Sequence, residues 1–419
     1  MGLFIGGEKM NNKRCRFCGK ELKYSMADLG LSPISNEYIE EKDLDRGQYF
    51  YPLNVMICED CFLAQVMEYQ APEQIFTNYK YLSSYSKSWL KHCENYVDMI
   101  VDRLSLDDES LVYEVACNDG YLLQYFSKYN IKKCGIEPAE NVAEIAKEKG
   151  IDVEVEFWGA ETSKKISDKR GKADLIIGNN VLAHVPDING FVEGLNIALK
   201  DEGTITMEFP HLLKLMKYNQ FDTIYQEHFS YFSLDCVCKI FGAHNMKIYD
   251  VDEIPTHGGS LRIYATHKEV EKYNISDSVR KVLKDEEEFG LKNIATYKEF
   301  YKKIEKIKRD SCKELIELKD KGKKIIGFGA AAKGNTFLNY CGIGKEYIDF
   351  VVDSNPEKQG MYLPGTRIPI VGLEKIEEYK PDYIVFLPWN LKEELSNILE
   401  YTREWGCKFI TFIPEKEIF

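Results

Sequence analysis

The sequence predicts an α/β protein with two mostly parallel sheets and a small cysteine-paired unit ahead of them. Three observations carry that expectation. Between residues 111 and 209, strand-like runs alternate with helical patterns, which means a parallel sheet covered on both faces. The alternation restarts at residue 322 and reads as a second, smaller open α/β domain. Near the N-terminus, Cys15-Arg16-Phe17-Cys18 and Cys58-Glu59-Asp60-Cys61 form two CxxC pairs within a short-stranded stretch. At 419 residues the chain exceeds one ordinary core, so two or three domains are expected. We draw the boundaries at 1–75, 76–270 and 271–419.

Composition narrows the class. The chain is 44% hydrophobic and 29% charged, as a soluble globular protein should be. A net charge of -13 disfavours a nucleic-acid or anionic-membrane partner, though a local basic pocket is still allowed. No window approaches the roughly 18–20 apolar residues of a membrane span. The segment Met1–Met10 is apolar for only about seven residues and has no basic stretch before them, so no signal peptide is expected. The expected location is cytoplasmic, and the twelve cysteines should then be thiols or metal ligands.

The first unit is read from its cysteines. Each CxxC knuckle can present two thiolates to one ion, and four thiolates close a tetrahedral shell. Cys15, Cys18, Cys58 and Cys61 are therefore expected to hold a structural zinc, with Gly19 suiting the tight turn after the first pair. A redox role fits less well, because there are two pairs and neither opens a helix in a βαβ unit. Cys117 and Cys134 lack partners at ligand spacing and are read as packing residues.

A bridging run, Tyr79 to Ser86, leads into a helical pattern at 87–104. Strands of the middle unit are expected at Leu111–Ala116, Lys133–Glu137, Ala173–Gly178 and Gly203–Phe209, with helices near 120–129, 139–149 and 188–200. Met246–Val251 and Ser260–His267, joined by a short loop, should form an antiparallel edge pair. A charged helical region follows at about 276–321. The last unit should contain strands Lys324–Gly329, Ile348–Asp353, Tyr383–Leu387 and Phe409–Phe412.

Ligands of doubly wound sheets bind beyond the carboxyl ends of the strands. There the sequence places Glu114-Val115-Ala116-Cys117-Asn118-Asp119-Gly120 and, after the next strand, Glu137. Glu137 can accept two hydrogen bonds from ribose hydroxyls, and Gly120 would let the turn approach a ligand. Ala116 and Asn118 stand where a dinucleotide fingerprint has glycines, which fits a nucleoside without phosphates, such as S-adenosylmethionine. The antiparallel last strand also fits a class I methyltransferase better than a dehydrogenase. Phe157 and Trp158 either sandwich an adenine or pack in the core.

Two clusters look like acid/base equipment: Asn179 to His184 at the end of an apolar run, and Tyr225-Gln226-Glu227-His228-Phe229-Ser230-Tyr231. In the last unit, Gly327 to Thr336 follows a strand and opens a helix, and Lys333 at a helix start suits an anion. Asp353, at the next strand end, stands where a ribose ligand would. That loop reads as a phosphate contact or as a structural turn. His257, Ser260 and Arg262 sit at the edge-strand loop, with Arg262 equally consistent with a solvated side chain.

Taken in order, these segments resemble the zinc-containing sugar C-methyltransferases of deoxysugar pathways. The resemblance spans nearly the whole chain. It rests on the two CxxC pairs, Asp28 to Asn36, Tyr81 to Ser86, Asn118-Asp119-Gly120, Tyr225 to Tyr231, Thr256 to Arg262 and Gly327 to Asn335. It implies a class I methyltransferase Rossmann-like domain flanked by an N-terminal zinc-binding domain and a C-terminal Rossmann-like domain. The sugar nucleotide would sit in the cleft between them. By motif match Tyr225, Glu227, His228 and His184 are carried over as active-site residues, and Glu137 as the ribose ligand. The further cofactor candidates are Tyr81, Glu114, Asn118, Gly120, Phe157, Trp158 and Asn179. The substrate candidates are Asn36, His257, Lys333 and Asn335. Gln226 stands where relatives vary, and no role is attached to it.

The implied reaction acts on a nucleotide-linked 4-keto-6-deoxy sugar. The C4 ketone acidifies the hydrogen on C3, a base removes it, and the enolate carbon takes the methyl group. Either His228 or Tyr225 could be the base. Histidine titrates nearer working pH and a phenol near 10 is the better oxyanion donor, so we favour His228 as base and Tyr225 as donor or relay. His184 could polarise the ketone, and Glu227 could orient an imidazole or bind a hydroxyl. Competing readings are methylation at C5, an oxygen or nitrogen methyltransferase, an NAD-dependent enzyme using the loop at 327–336, and a zinc-stabilised interaction module.

Overall fold

The structure is a computed structural model and describes residues 13–69 and 82–419. Tyr81 and most of the bridging run lie outside the described residues.

The N-terminal unit is a small antiparallel sheet of β1 (Tyr24–Ser32), β2 (Tyr51–Ile57) and β3 (Ala64–Val66). Alternation turns Leu53, Val55 and Ile57 of β2 fully inward. A fourth strand, β9 (Ser230–Tyr231), completes the sheet from the middle of the chain.

The middle unit opens with α1 (Lys87–Leu104), capped by the Ser86 hydroxyl, which accepts from the Trp89 amide. Then follow β4 (Leu111–Val115), β5 (Lys132–Ile136), α2 (Glu140–Glu148), β6 (Val153–Glu154), α3 (Ala160–Arg170), β7 (Ala173–Asn179), α4 (Ile188–Ala198) and β8 (Leu199–Pro210). After α5 (Leu212–Lys217), β9 and α6 (Leu234–Ala243), the chain closes the sheet with β10 (Met246–Ile254) and β11 (Ser260–His267). The seven strands run in the order β10-β11-β8-β7-β4-β5-β6. Only β11 opposes its neighbours, pairing antiparallel with both β8 and β10. This is the class I methyltransferase arrangement expected above. Strand order reverses between β4 and β7, where such sheets open their ligand crevice. The segment expected as a helix near 120–129 is instead a 3₁₀ stretch, Leu123–Tyr129. Buried Leu123 and Phe126 pull it onto the sheet, and left-handed Asn130 ends it.

The charged region becomes two helices, α7 (Asp277–Phe289) and α8 (Ile294–Asp320), separated at Gly290. The last unit holds β12 (Ile325–Phe328), α9 (Ala332–Cys341), β13 (Val351–Val352), β14 (Ile370–Val371), α10 (Glu374–Tyr379), β15 (Tyr383–Phe386), α11 (Lys392–Ile398), β16 (Lys408–Thr411) and β17 (Glu417–Ile418). Its sheet order is β14-β13-β12-β15-β16-β17, parallel except for β17. One apolar core joins the first and last units: Met26, Leu53 and Val55 share it with Phe221, Ile224, Leu315, Phe337 and Val351. Among the described residues, no helix is long and apolar enough to cross a membrane.

Candidate active site

The four cysteines of the first unit converge. Their sulfurs all lie within 4.8 Å of one another, and the Cys15–Cys61 and Cys18–Cys58 pairs are each 3.5 Å apart. Four thiolates around zinc at about 2.3 Å would be separated by nearly 3.8 Å, so the donor set fits the ion with little adjustment. The supporting shell is present too. The Gln65 amide donates to Cys15 Sγ at 3.2 Å and accepts from the Arg16 amide at 2.9 Å. A closed four-sulfur shell keeps no position for substrate, so the metal is structural.

At the crevice of the central sheet, β4 runs into a loop whose Ala116, Asn118 and Gly120 all have positive φ. Glu137, at the end of β5, is 6% exposed and accepts from the Asn118 amide and the Ala139 amide, each at 2.9 Å. Burial raises its pKa, opposed by these two amides. Glu114 is fully buried, with Tyr121 and the Leu123 amide close by, and neither of its oxygens closes a hydrogen bond; burial pushes its pKa far up. Asn179, 7% exposed at the end of β7, has both amide atoms buried without a hydrogen bond. Three polar side chains with unspent capacity at one strand-end crevice fit a polar ligand such as S-adenosylmethionine. The Asn118 side chain instead accepts from the Ser83 amide at 3.0 Å, docking the bridging segment onto this loop. What Gly120 makes room for is Ile151, whose Cδ1 would lie 2.2 Å from an added Cβ. That close approach is a packing reason for a glycine here, beside its positive φ. Trp158 packs against the core and donates to the Phe191 carbonyl, while Phe157 is exposed; the two rings do not form a matched pair.

The second cluster assembles beside the crevice. His184 closes a 3₁₀ turn after β7, and the next carbonyl upstream, Ala183, accepts from the Phe229 amide at 2.7 Å. Phe229 in turn accepts from the Val66 amide of β3 at 3.0 Å. The segment 225–231 is thus held between the central sheet and the zinc sheet. Tyr225 and His228 are three residues apart, a spacing that would place them on one face of a helix. They share a face by another route, a turn closed by the His228 amide on the Tyr225 carbonyl, with ring centroids 4.0 Å apart. The His184 and His228 rings meet edge-on at 4.8 Å.

His228 Nδ1 lies 2.9 Å from the Thr223 carbonyl. A carbonyl only accepts, so Nδ1 carries the proton and Nε2 keeps its lone pair. Burial, reinforced by His184, holds the His228 pKa well below the usual value. His184 is held down to about 4, also by burial. Both rings are neutral at physiological pH. Glu227 is 3% exposed and accepts from the Asn36 amide of the first unit at 2.8 Å. Burial pushes its pKa up to about 7, against the pull of that bond. It touches neither imidazole through a carboxylate hydrogen bond among those resolved.

The last unit supplies a third wall. Lys333, at the start of α9, is depressed in pKa by burial, lies 3.3 Å from Asn390 Oδ1, and its charge is felt by both His228 and His257. Asn335 is 1% exposed and donates to the Ser35 carbonyl at 2.7 Å, which makes it a tie between units. His257, on a left-handed backbone, accepts from Asn180 at 3.3 Å; burial holds it at about 4.

Several residues escaped the sequence. Arg262, offered as a solvated side chain, is 6% exposed and pairs with Glu208 at 3.0 Å. Glu208 is completely buried and also takes His92 at 3.0 Å and the Thr256 hydroxyl at 3.1 Å. Trp89 stacks on His92 and reaches His257. Gln226 donates to the Ser32 carbonyl at 3.1 Å, which explains an amide at that position. Alternation along β8 puts Glu208 on the face opposite Ile205, Met207 and Phe209, and its burial comes from both faces of this strand being covered. In the last unit, Asp353 accepts from the Ala330 and Asn355 amides, and Tyr38 donates to the Ala330 carbonyl at 2.6 Å. Asp353 thus holds the amides of its own loop, as Glu137 does at the central sheet.

Comparison with known proteins agrees with this organisation. A family model for a zinc binding domain matches residues 15–76, one for a methyltransferase domain matches 89–251, and one for a C-methyltransferase C-terminal domain matches 255–414. The chain is similar to C-methyltransferase NovU of Streptomyces niveus, with 34% identity over 96% of each chain. Among solved structures it matches an S-adenosylmethionine-dependent methyltransferase from Anabaena variabilis, at 16% identity and TM-score 0.35, over 41% of this chain and 83% of that one. It also matches magnesium protoporphyrin IX methyltransferase from Synechocystis, solved with bound S-adenosylhomocysteine, at 16% identity and TM-score 0.34, over 42% and 82%.

Proposed function

We propose, from the premise that the chain belongs to the C-methyltransferase family, that its substrate is a nucleotide-linked 4-keto-6-deoxy sugar and that C3 receives the methyl group. The observation that carries the proposal is the imidazole of His228, held at Nδ1 by the Thr223 carbonyl and inclined at 34° against the Tyr225 ring. A carbon acid must be deprotonated before it can be alkylated, and a hydroxyl or amine acceptor needs no enolising base. Bound S-adenosylmethionine supplies an electrophilic methyl group. Everything else falls to the chain.

In this reading His228 Nε2 takes the proton from C3. Tyr225 donates to the oxyanion that develops on the C4 oxygen, and His184 stands across from it as a second donor. A depressed pKa suits His228 in this role, because a protonated imidazole could not accept the proton. Glu227, with Asn36, takes a sugar hydroxyl. Lys333 faces the phosphates from the start of α9, and His257 borders the sugar from the opposite loop. Glu114, Glu137 and Asn179 hold the cofactor.

The test is solvent-deuterium exchange into a nucleotide-linked 4-keto-6-deoxy sugar, with S-adenosylhomocysteine filling the cofactor site. We expect deuterium at C3, and a loss of exchange and methyl transfer together, by roughly 10²–10⁴-fold, in His228→Ala. Tyr225→Phe should slow both and leave residual activity. Exchange at C5 alone would move the site of methylation, and a methyl group found on oxygen or nitrogen would end the C-methylation of this substrate class.

A further inference from the structure

We infer that Trp389 and Asp222 form a positioning pair through which the C-terminal unit holds His228 in its Nδ1–H tautomer. The effect on turnover rests on His228 being the base proposed above; the effect on the tautomer does not.

The contacts run in a short line. Trp389 follows β15 in the loop Leu387-Pro388-Trp389-Asn390, at the carboxyl end of the last sheet. Its indole Nε1 donates to Asp222 Oδ2 at 2.7 Å. Asp222 is 1% exposed and sits in the 3₁₀ turn Phe221–Thr223. Its other oxygen, Oδ1, is buried and makes no hydrogen bond. The next residue, Thr223, offers the carbonyl that accepts from His228 Nδ1 at 2.9 Å. The turn at 221–223 is therefore gripped from one side by the indole and presents the imidazole acceptor on the other.

The indole is the side-chain donor to this buried carboxylate, which the Asp222 and Thr223 amides also approach, so the indole ties it to the last unit. Burial raises Asp222 to about 6, while Lys333 and the indole pull it back. The indole touches the opposite loop as well. Its Cη2 would lie 2.8 Å from a Cβ at Gly258, so a left-handed glycine (φ +89°) is what lets the ring seat beside His257. Lys333 Nζ lies 5.1 Å from the ring centroid. One indole from the last unit thus contacts both loops that carry the histidines and the lysine that faces them. Nothing in the reaction itself uses Trp389 or Asp222, so their geometry calls for a role one step removed.

The experiment uses the full-length, zinc-loaded protein with ¹⁵N-labelled histidine. Wild type should show His228 as the Nδ1–H tautomer in long-range ¹H–¹⁵N spectra. Trp389→Phe, which keeps an aromatic ring but no donor, and Asp222→Ala should both blur that signature into a tautomer mixture. Each should lower kcat by about tenfold while the dissociation constant for S-adenosylmethionine stays put, because the cofactor crevice lies elsewhere. Asp222→Asn keeps an acceptor for the indole and should retain most of the rate. The double variant Trp389→Phe/Asp222→Ala should be no worse than the poorer single one, as expected of two partners in one contact. Retention of a clean Nδ1–H signal in both Trp389→Phe and Asp222→Ala overturns the inference. So does an Asp222→Asn variant as impaired as Asp222→Ala. A lost tautomer with undiminished turnover upholds the positioning pair and removes His228 as base.

Discussion

Glu227 shows how far a single side chain is set by its surroundings. The sequence placed it one residue from His228 and suggested a carboxylate that orients an imidazole or binds a hydroxyl. The fold takes it out of water and gives it one neutral donor, Asn36, which is too little to keep a charge cheaply. Its pKa rises from 4.5 to about 7. A raised folded-state pKa means that the folded protein binds the proton more tightly than the unfolded chain. The stability this brings is complete below pH 4.5 and is lost as pH climbs through 7. Glu227→Gln should therefore gain on wild type across that window, by up to ~3 kcal/mol if nothing relaxes. The readout is the difference in melting temperature between the two proteins from pH 4.5 to 8. A difference that does not change with pH would contradict the assignment. His184 and His257 lose their contributions in the opposite direction, as pH falls from 6.5 towards 4, and they cancel in the comparison. At this scale the sequence named the chemistry-bearing types in 225–231 but not their partners. Asn36 lies 191 residues from Glu227, and Ser32 lies 194 from Gln226; no local pattern links them.

Among the elements, the two-residue strand β9 has the largest consequence for its length. Ala64 pairs with Tyr231 and Gln65 with Ser230, so the strand that leaves the second zinc knuckle runs in register with the end of the segment 225–231. Gln65 also points its amide at Cys15 Sγ. Metal site and histidines are thereby two ends of one ladder. Removing zinc with a strong chelator should raise hydrogen exchange at 64–66 and 225–231 first. S-adenosylmethionine binding, which we propose at the ends of β4, β5 and β7, should survive within about threefold while proton abstraction fails. Equal loss of both, or loss of neither, would argue against the ladder as the link. Metal analysis should find one zinc per chain, and Cys58→Ser should be unstable as well as inactive. The long periodic elements α1, β4, β5, β7 and β11 were legible beforehand, because their apolar spacing matches their burial. A two-residue strand has no period to read, and the 3₁₀ stretch Leu123–Tyr129 passed for a helix because both conformations bury Leu123 and Phe126 on one side.

For the molecule as a whole, three units meet at the candidate site and each spends polar groups on the others. The last unit has the strand order and glycine loop of a nucleotide-binding sheet, yet its crevice is already furnished. Gly329 is backed by Pro388 (2.6 Å from an added Cβ), and Tyr38 of the first unit reaches the Ala330 carbonyl. We expect S-adenosylmethionine to raise the melting temperature, by ~2.7 kcal/mol of stabilisation at a hundredfold excess over its dissociation constant, and NAD at the same ratio to a typical site to leave it unchanged. A clear shift with NAD would reopen the last crevice as a cofactor site. The sequence carries two alternating strand and helix patterns and, ahead of them, two CxxC pairs, and the structure has three sheets. The sequence did not show that Asn335 and Thr336 clamp the first and middle units, by way of the Ser35 and Ile224 carbonyls. The borrowed strand β9 carries a lesson for anyone who would rebuild such proteins from parts. A zinc unit cut at residue 76 would present β3 as a bare, hydrogen-bond-hungry edge, prone to sticking to other chains. Grafting a foreign N-terminal unit would fail for the same reason unless residues 225–231 travelled with it. These units are interlocked pieces of one puzzle, not beads on a string, and chimeras should be cut along that seam.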